Sequence, residues 1–356
     1  MRKTIIALLT LLTMFMFVLG GCGANSQKNN TTLGENKQAA ATKKEQRKET
    51  KKYYFVANEG GSISKIDVET NQVVATIKVD GAVHNVQVSP DGKILGATLV
   101  PEMQHGNDQS MDMKGMALFY NTETDELIKK VEVGNHPAHI VFTENGKYAL
   151  VTNNEDNNVS VIDMASYSVI QTIPTGKGPH GFRISKDSRY AYIANMGEDS
   201  VSILNLETMK EEKKIKVGST PVTTGITSDG KTLAVTLNAE NALAIVDLAS
   251  GKVEKVPVGR GPAQVYMDPD DTFAYVANQG TKDAPSHSVS KINIKTKQVV
   301  ATIETGKGAH GVVTNQKYVF VTNMFDNTVS VIDKEQSKVI KTIQVGEIPN
   351  GISVMP

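Results

Sequence analysis

Apolar and polar positions alternate along residues 53–356 in short β-branched runs, each closed by Asn, Asp or Gly. The clearest copies run from Val151-Thr152-Asn153 to Val161-Ile162-Asp163, and from Val321-Thr322-Asn323 to Val331-Ile332-Asp333. The residue closing the apolar strand recurs at Asp67, Asn121, Asp163, Asn205, Asp247, Asn293 and Asp333. That period of about 42, broken by two insertions, is the length of a β-propeller blade. The copy at 179–218 predicts strands over Pro179–Ser185, Tyr190–Ala194, Ser200–Leu204 and Lys213–Val217, joined by turns rich in Asn, Asp and Gly. No segment beyond the N-terminal stretch shows a helical period.

The order of the strands adds a closure. The repeat region opens with a second strand, Tyr53–Ala57, and finishes with a first strand, Gly351–Val354. Residues 351–354 therefore complete the blade opened at Tyr53, leaving no exposed sheet edge at the junction. The expected fold is all-β, a seven-bladed β-propeller of four-stranded blades whose first blade is closed by the C-terminal strand. An eight-bladed ring and an open solenoid are the alternatives.

Val-Thr-Asn at 151–153 and 321–323, the Ser-Pro-Asp-Gly turn at 89–92 and Pro-His-Gly at 179–181 resemble the YVTN-repeat β-propeller lipoprotein family. The resemblance covers essentially all of 53–356. It implies a propeller, and a membership that ranges over extracytoplasmic lipoproteins, metal- and haem-bearing propeller domains and lactone-hydrolysing enzymes, so it does not assign a function. The absence of Trp separates the chain from WD-type propellers.

Ahead of the repeats lie two further segments. Arg2 and Lys3 precede an apolar run from Ile5 to Val18, and Leu19-Gly20-Gly21-Cys22 follows. This reads as a signal peptide over 1–22, similar to a lipobox, with Cys22 as the lipidated residue and an ordinary secretory signal as the alternative. Cys22 is the sole cysteine, so no intrachain disulfide is available. Residues 23–52 lack aromatics and read as a disordered tether with a net charge of +5. With Arg2 and Lys3 counted, residues 53–356 carry −7. A basic tether suits an anionic membrane surface, whereas an acidic globule argues against nucleic acid as a partner. The expectation is a monomer held to the bacterial cell membrane by a lipid anchor, facing the extracytoplasmic side.

All seven histidines map to loops or strand starts that open on one face of such a ring. His84, His136, His139, His180 and His310 enter first strands, and His105 and His287 lie in second-to-third-strand loops. His84, His139 and His180 come from consecutive blades and should ring the mouth of the central channel, with His310 from a blade farther round. Neutral imidazole is a common ligand for Cu, Zn and Fe. The alternatives are hydrogen bonding to a neighbouring blade, or direct contact with an organic ligand.

The second-to-third loop of blade 2 is longer than its counterparts and carries Met103, His105, Met111, Met113 and Met116 in an otherwise polar stretch. Thioethers favour Cu(I), so this loop is a candidate copper ligand set. A greasy lid over the channel, or a sticky partner-binding surface, explains the same residues without metal. Met196 and Met324 follow loop asparagines on the same face, and the insertion at 279–288 brings Asp283 and His287 but reads mainly as a flexible loop. Asp156, Asp199 and Asp326 read as turn formers, and nothing singles out Glu59, Glu102 or Glu155.

No Ser-His-Asp order, phosphate loop, His-Glu-x-x-His helix or Cys-x-x-Cys-His motif occurs. The preferred expectation is a non-catalytic, membrane-tethered binding propeller whose His/Met face takes copper or another soft metal. A metal-free scaffold for cell-envelope protein, peptide or glycan, and a lactonase-type hydrolase, are the alternatives.

Overall fold

The computed structural model describes residues 51–101 and 114–356. The signal segment with Cys22, the tether up to residue 50, and Glu102, Met103, His105, Met111 and Met113 lie outside the described residues. The described residues form 28 strands in seven four-stranded antiparallel sheets, with one short 3-10 turn at Asn238–Glu240. Blade 1 joins Tyr53–Asn58, Ser62–Asp67 and Val73–Lys78 to the strand Pro349–Val354, so the ring closes as expected, with seven blades.

The innermost strands follow one another around the axis as Pro349–Val354, Ala82–Val88, Pro137–Phe142, Pro179–Ile184, Pro221–Ile226, Pro262–Met267 and Ala309–Thr314. The second and third strands of each blade are sandwiched between neighbouring blades, which is why Tyr148–Asn153 is buried along nearly its whole length. The outer strands face water, and Lys210–Lys216, with five Lys or Glu in a row, is exposed throughout save Ile215. That strand starts three residues before the expected Lys213.

Seven apolar clusters occupy the seven seams between blades. At the seam of blades 3 and 4, Phe182 packs with Leu150, Val159, Val161 and Ile173. Truncating such a buried phenylalanine to alanine costs about 3–5 kcal/mol. At the closing seam Tyr54 lies against Phe320, their rings 4.5 Å apart.

The repeated polar residues have structural duties. Each of the seven period-marking Asp or Asn residues accepts backbone N–H groups from the turn that follows it, as Asp67 does from Glu69 and Thr70. The buried Asn153, at the end of a second strand, donates from Nδ2 to Asn158 at 2.7 Å and Ser160 at 2.9 Å. Asn58, Asn195, Asn278 and Asn323 repeat the pattern. The Gly that closes each preceding fourth strand lies flat against this carboxamide. A Cβ on Gly306 would sit 2.7 Å from Asn323, and one on Gly259 2.5 Å from Asn278. Asn and Gly recur together because each occupies the space the other leaves.

The insertion at 279–288 is an extension of the hairpin rather than a flexible loop. Strands Phe273–Gly280 and Pro285–Asn293 continue their pairing to Gly280 opposite Pro285. Thr281 and Ala284 close the turn, with the Thr281 hydroxyl accepting the Ala284 N–H at 3.1 Å.

Candidate metal centre at the propeller hub

The hub is built on irregular inner strands. In blade 3 the pairing of Pro137–Phe142 with Tyr148–Asn153 skips between Pro137 and Ile140, and the same skip recurs in blades 2, 4, 5, 6 and 7. A bulge frees backbone groups and re-aims side chains. The threonine of the Val-Thr-Asn signature takes up those groups. Thr152 accepts the His139 N–H at 3.0 Å and donates to the His180 carbonyl of the next blade at 2.8 Å. Thr98, Thr236 and Thr322 make the same link to Ala138, Ala263 and Asn350. Thr152 thus fixes the backbone of two hub histidines at once.

His84, His139 and His180 converge, each offering a ring nitrogen within 4.8 Å of the others. Their ring centroids are 5.0, 5.3 and 5.9 Å apart, edge-on or tilted rather than stacked flat. With metal–nitrogen bonds of about 2.0–2.1 Å, three imidazoles around one tetrahedral ion place their nitrogens about 3.3 Å apart and their centroids roughly 5–5.5 Å apart. The rings therefore stand at the right separation, and small χ rotations bring the nitrogens inward.

The outer contacts select which nitrogen faces the hub. His84 Nδ1 lies 2.8 Å from Glu59 Oε1, and His180 Nδ1 lies 3.2 Å from the Val222 carbonyl. Both partners only accept, so each favours a proton on Nδ1, although Asn350 Nδ2 also approaches His84 Nδ1 at 3.3 Å. Carboxylate or carbonyl partners behind metal-bound imidazoles orient ligands in this way. Both ring nitrogens of His139, and Nε2 of His84, are buried without a hydrogen-bond partner. Leaving such atoms unpaired costs about 1–3 kcal/mol each.

Burial, reinforced by repulsion from the neighbouring rings, pushes His180 down to about 3 and His139 well below the usual imidazole range. His310 is pushed down to about 4 by burial and by His84, with Glu59 pulling the other way. Burial raises the Glu59 carboxyl, but hydrogen bonds from His84 and Asn350 and the nearby imidazoles outweigh it and hold Glu59 below the usual range. These three imidazoles are thus unprotonated at neutral pH, as ligation requires.

His310 is buried and electrostatically coupled to His84 and His180 but stands outside the group of three. His136 is half-exposed at the rim, 3.5 Å from Glu155, and His287 is exposed. Met196 is exposed, and the sulfur of Met324 accepts from Gln279 Nε2 at 3.1 Å. Met116 lies in a strand, half-buried against the apolar core between blades 1 and 2. Asp156 and Asp326 brace loops, accepting N–H groups of Asn135 and Lys307 across the face. Glu59 and Asn350 were not legible as partners: Asn350 Nδ2 donates to Glu59 Oε1 at 2.7 Å across 291 positions of sequence.

Residues 123–272 match the model of the YNCE-like β-propeller family. Comparison with curated proteins finds no match. Among solved structures, the chain is similar to hydrazine synthase from Kuenenia stuttgartiensis, with 20% identity, a TM-score of 0.67, and coverage of 77% of this chain and 90% of that one. It is also similar to a candidate 6-phosphogluconolactonase from Bacteroides fragilis NCTC 9343, with 15% identity, a TM-score of 0.66, and coverage of 86% and 98%. At these identities the likeness concerns the fold.

Proposed function

We propose that this YVTN-like seven-bladed β-propeller is a binding protein whose hub holds one copper ion, or another transition metal that seeks imidazole, through His84, His139 and His180. The observation that carries the reading is the convergence of three imidazoles, two of them engaged through Nδ1, which leaves Nε2 available to an ion. Bound there, the ion would replace the partners that the buried ring nitrogens lack. Imidazole sites bind Cu(II) most tightly among first-row divalent ions, and the thioethers of Met103, Met111 and Met113 on the blade 2 loop would add preference for Cu(I). No hydrolytic machinery is invoked, because the hub carboxylate Glu59 is already committed to His84 and Asn350.

The same proposal places the propeller outside the cytoplasm, tethered to the membrane through lipidated Cys22 and the basic segment 23–52. A Cys22→Ser chain that stays in the membrane fraction would refute the anchor.

The test of the hub uses purified full-length chain, stripped with chelator and titrated separately with Cu(I), Cu(II) and Zn(II). Stoichiometric uptake of one ion, lost in His84→Ala/His180→Ala, is expected. A wild-type chain that takes up none of the three overturns the metal reading and leaves the face as a docking surface.

A further inference from the structure

The opposite mouth of the channel carries a second cluster. Arg183 lies three residues beyond His180 on the same inner strand, roughly 10 Å along it. It opens into a cavity of about 510 Å³ at the far ends of the inner strands. Gln87, Tyr266 and Thr314 bring polar groups to this cavity, while Val88, Val141, Ile184 and Met355 form apolar walls.

Arg183 is half-buried, and its environment is unusual for a cation. Its guanidinium lies 5.0 Å from the Tyr266 ring centroid, and Gly225, on the inner strand between them, places no side chain in the way. Nη1 donates to the Phe182 carbonyl at 2.9 Å, which is its one hydrogen bond among the described residues. Among the described residues no carboxylate lies within ion-pair distance, and burial accordingly pulls the guanidinium below its usual basicity. A cation taken out of water without a counter-charge is costly, so such sites are normally paired. A guanidinium over an aromatic face keeps its remaining N–H groups available for a fork-to-fork contact with a carboxylate. Thr314 adds a buried hydroxyl without a partner.

We propose that this mouth binds a small monocarboxylate with a short apolar body. The carboxylate is received by the Arg183 fork and the Thr314 hydroxyl, and the body lies against Val88, Val141, Ile184 and Met355. Charge argues for a monoanion over a phosphate dianion. The globule is acidic and Glu144 stands at the rim, while of the two lysines at this mouth Lys52 is engaged with the Pro356 carbonyl at 2.6 Å and Lys317 lies over the Tyr318 ring.

The experiment is calorimetric titration of full-length protein with hexanoate, with chelator present throughout so that the hub metal plays no part. Hexanol and inorganic phosphate serve as comparison ligands. Saturable binding of one hexanoate is expected, with hexanol and phosphate weaker by about tenfold or more. Arg183→Lys keeps the charge but loses the fork, and should weaken hexanoate by about tenfold. Thr314→Val, which touches no charge, should weaken it several-fold and covers the case in which the Arg183 variant fails to fold. Absence of saturable hexanoate binding, phosphate binding as tight as hexanoate, or affinity unchanged in both variants overturns the assignment.

Discussion

The Thr152 hydroxyl donates to the carbonyl oxygen of His180 at 2.8 Å, across the boundary between two blades. The Thr152 hydroxyl oxygen also accepts the His139 N–H within its own blade, so a single side chain sets the spacing of two hub imidazoles. Thr152→Val keeps the shape and removes both bonds, leaving a buried N–H and a buried carbonyl unpaired. We expect a loss of about 1–3 kcal/mol in urea denaturation, since the penalty falls on the groups left behind. Metal uptake at the hub should weaken in parallel. An unchanged midpoint would show that the bridge adds nothing.

Glu59 stands behind His84 as its proton acceptor. Glu59→Gln keeps the size but removes the charge, and an amide can present its NH2 to Nδ1 instead. On the proposed metal reading, affinity should fall by about 10–100-fold, the range seen when an outer partner of a metal-bound histidine is lost. Competition against a chelator of known affinity measures it, with the melting curve as a check on folding.

Acid should destabilise the protein in a defined window. His180 and His310 are held near 3 and 4 in the folded chain, while an unfolded imidazole titrates near 6.5. Between those limits the unfolded chain binds more protons, so stability rises with pH and falls as pH drops below 6.5. Each of the two contributes up to about 1.4 kcal/mol per pH unit inside its window. Denaturant midpoints measured from pH 7 to pH 4.5 should decline, and the decline should be shallower in His180→Phe.

Gly306 and Asn323 should behave as a coupled pair. Gly306→Ala drives a methyl group against the carboxamide and should cost about 1–3 kcal/mol. Asn323→Ala removes the bonds to Thr328 and Ser330. If the two residues define one another, the double variant should lose less than the sum of the singles, by 0.5 kcal/mol or more in a double-mutant cycle. Strict additivity would contradict the account of the repeat given above.

Much of the ring was legible because strand periodicity and turn chemistry are local. Alternation between Tyr190 and Leu204, with the polar loop Asn195-Met196-Gly197-Glu198-Asp199 between, is enough to place two strands and their connection. The number of blades followed from counting, and the closing exchange from the fact that Tyr53 opens on a second strand. The meeting of His84, His139 and His180 also followed from connectivity. The insertion at 279–288 reads as a loop because Gly, Lys, Asp and Pro there resemble a linker, whereas pairing resumes after an irregularity with Gly280 opposite Pro285. Glu59 was invisible for another reason. Acids recur in equivalent loops at Glu155 and Glu198, and nothing local separates the one that meets an imidazole. Its partners lie 25 and 291 positions away, so only the closed ring brings them together. Arg183 left one trace, a cation inside the inner strand Pro179–Ile184 where the neighbouring copies place Val141 and Gly225.

The strand Pro349–Val354 supplies Asn350 to the hub while pairing with Tyr53–Asn58 next to Glu59. A ribosome therefore delivers the first and last pieces of the centre at opposite ends of its task. Any product cut short before residue 349 lacks the brace on Glu59 and leaves blade 1 unfinished. The support behind His84 is therefore complete only once the last inner strand has joined blade 1.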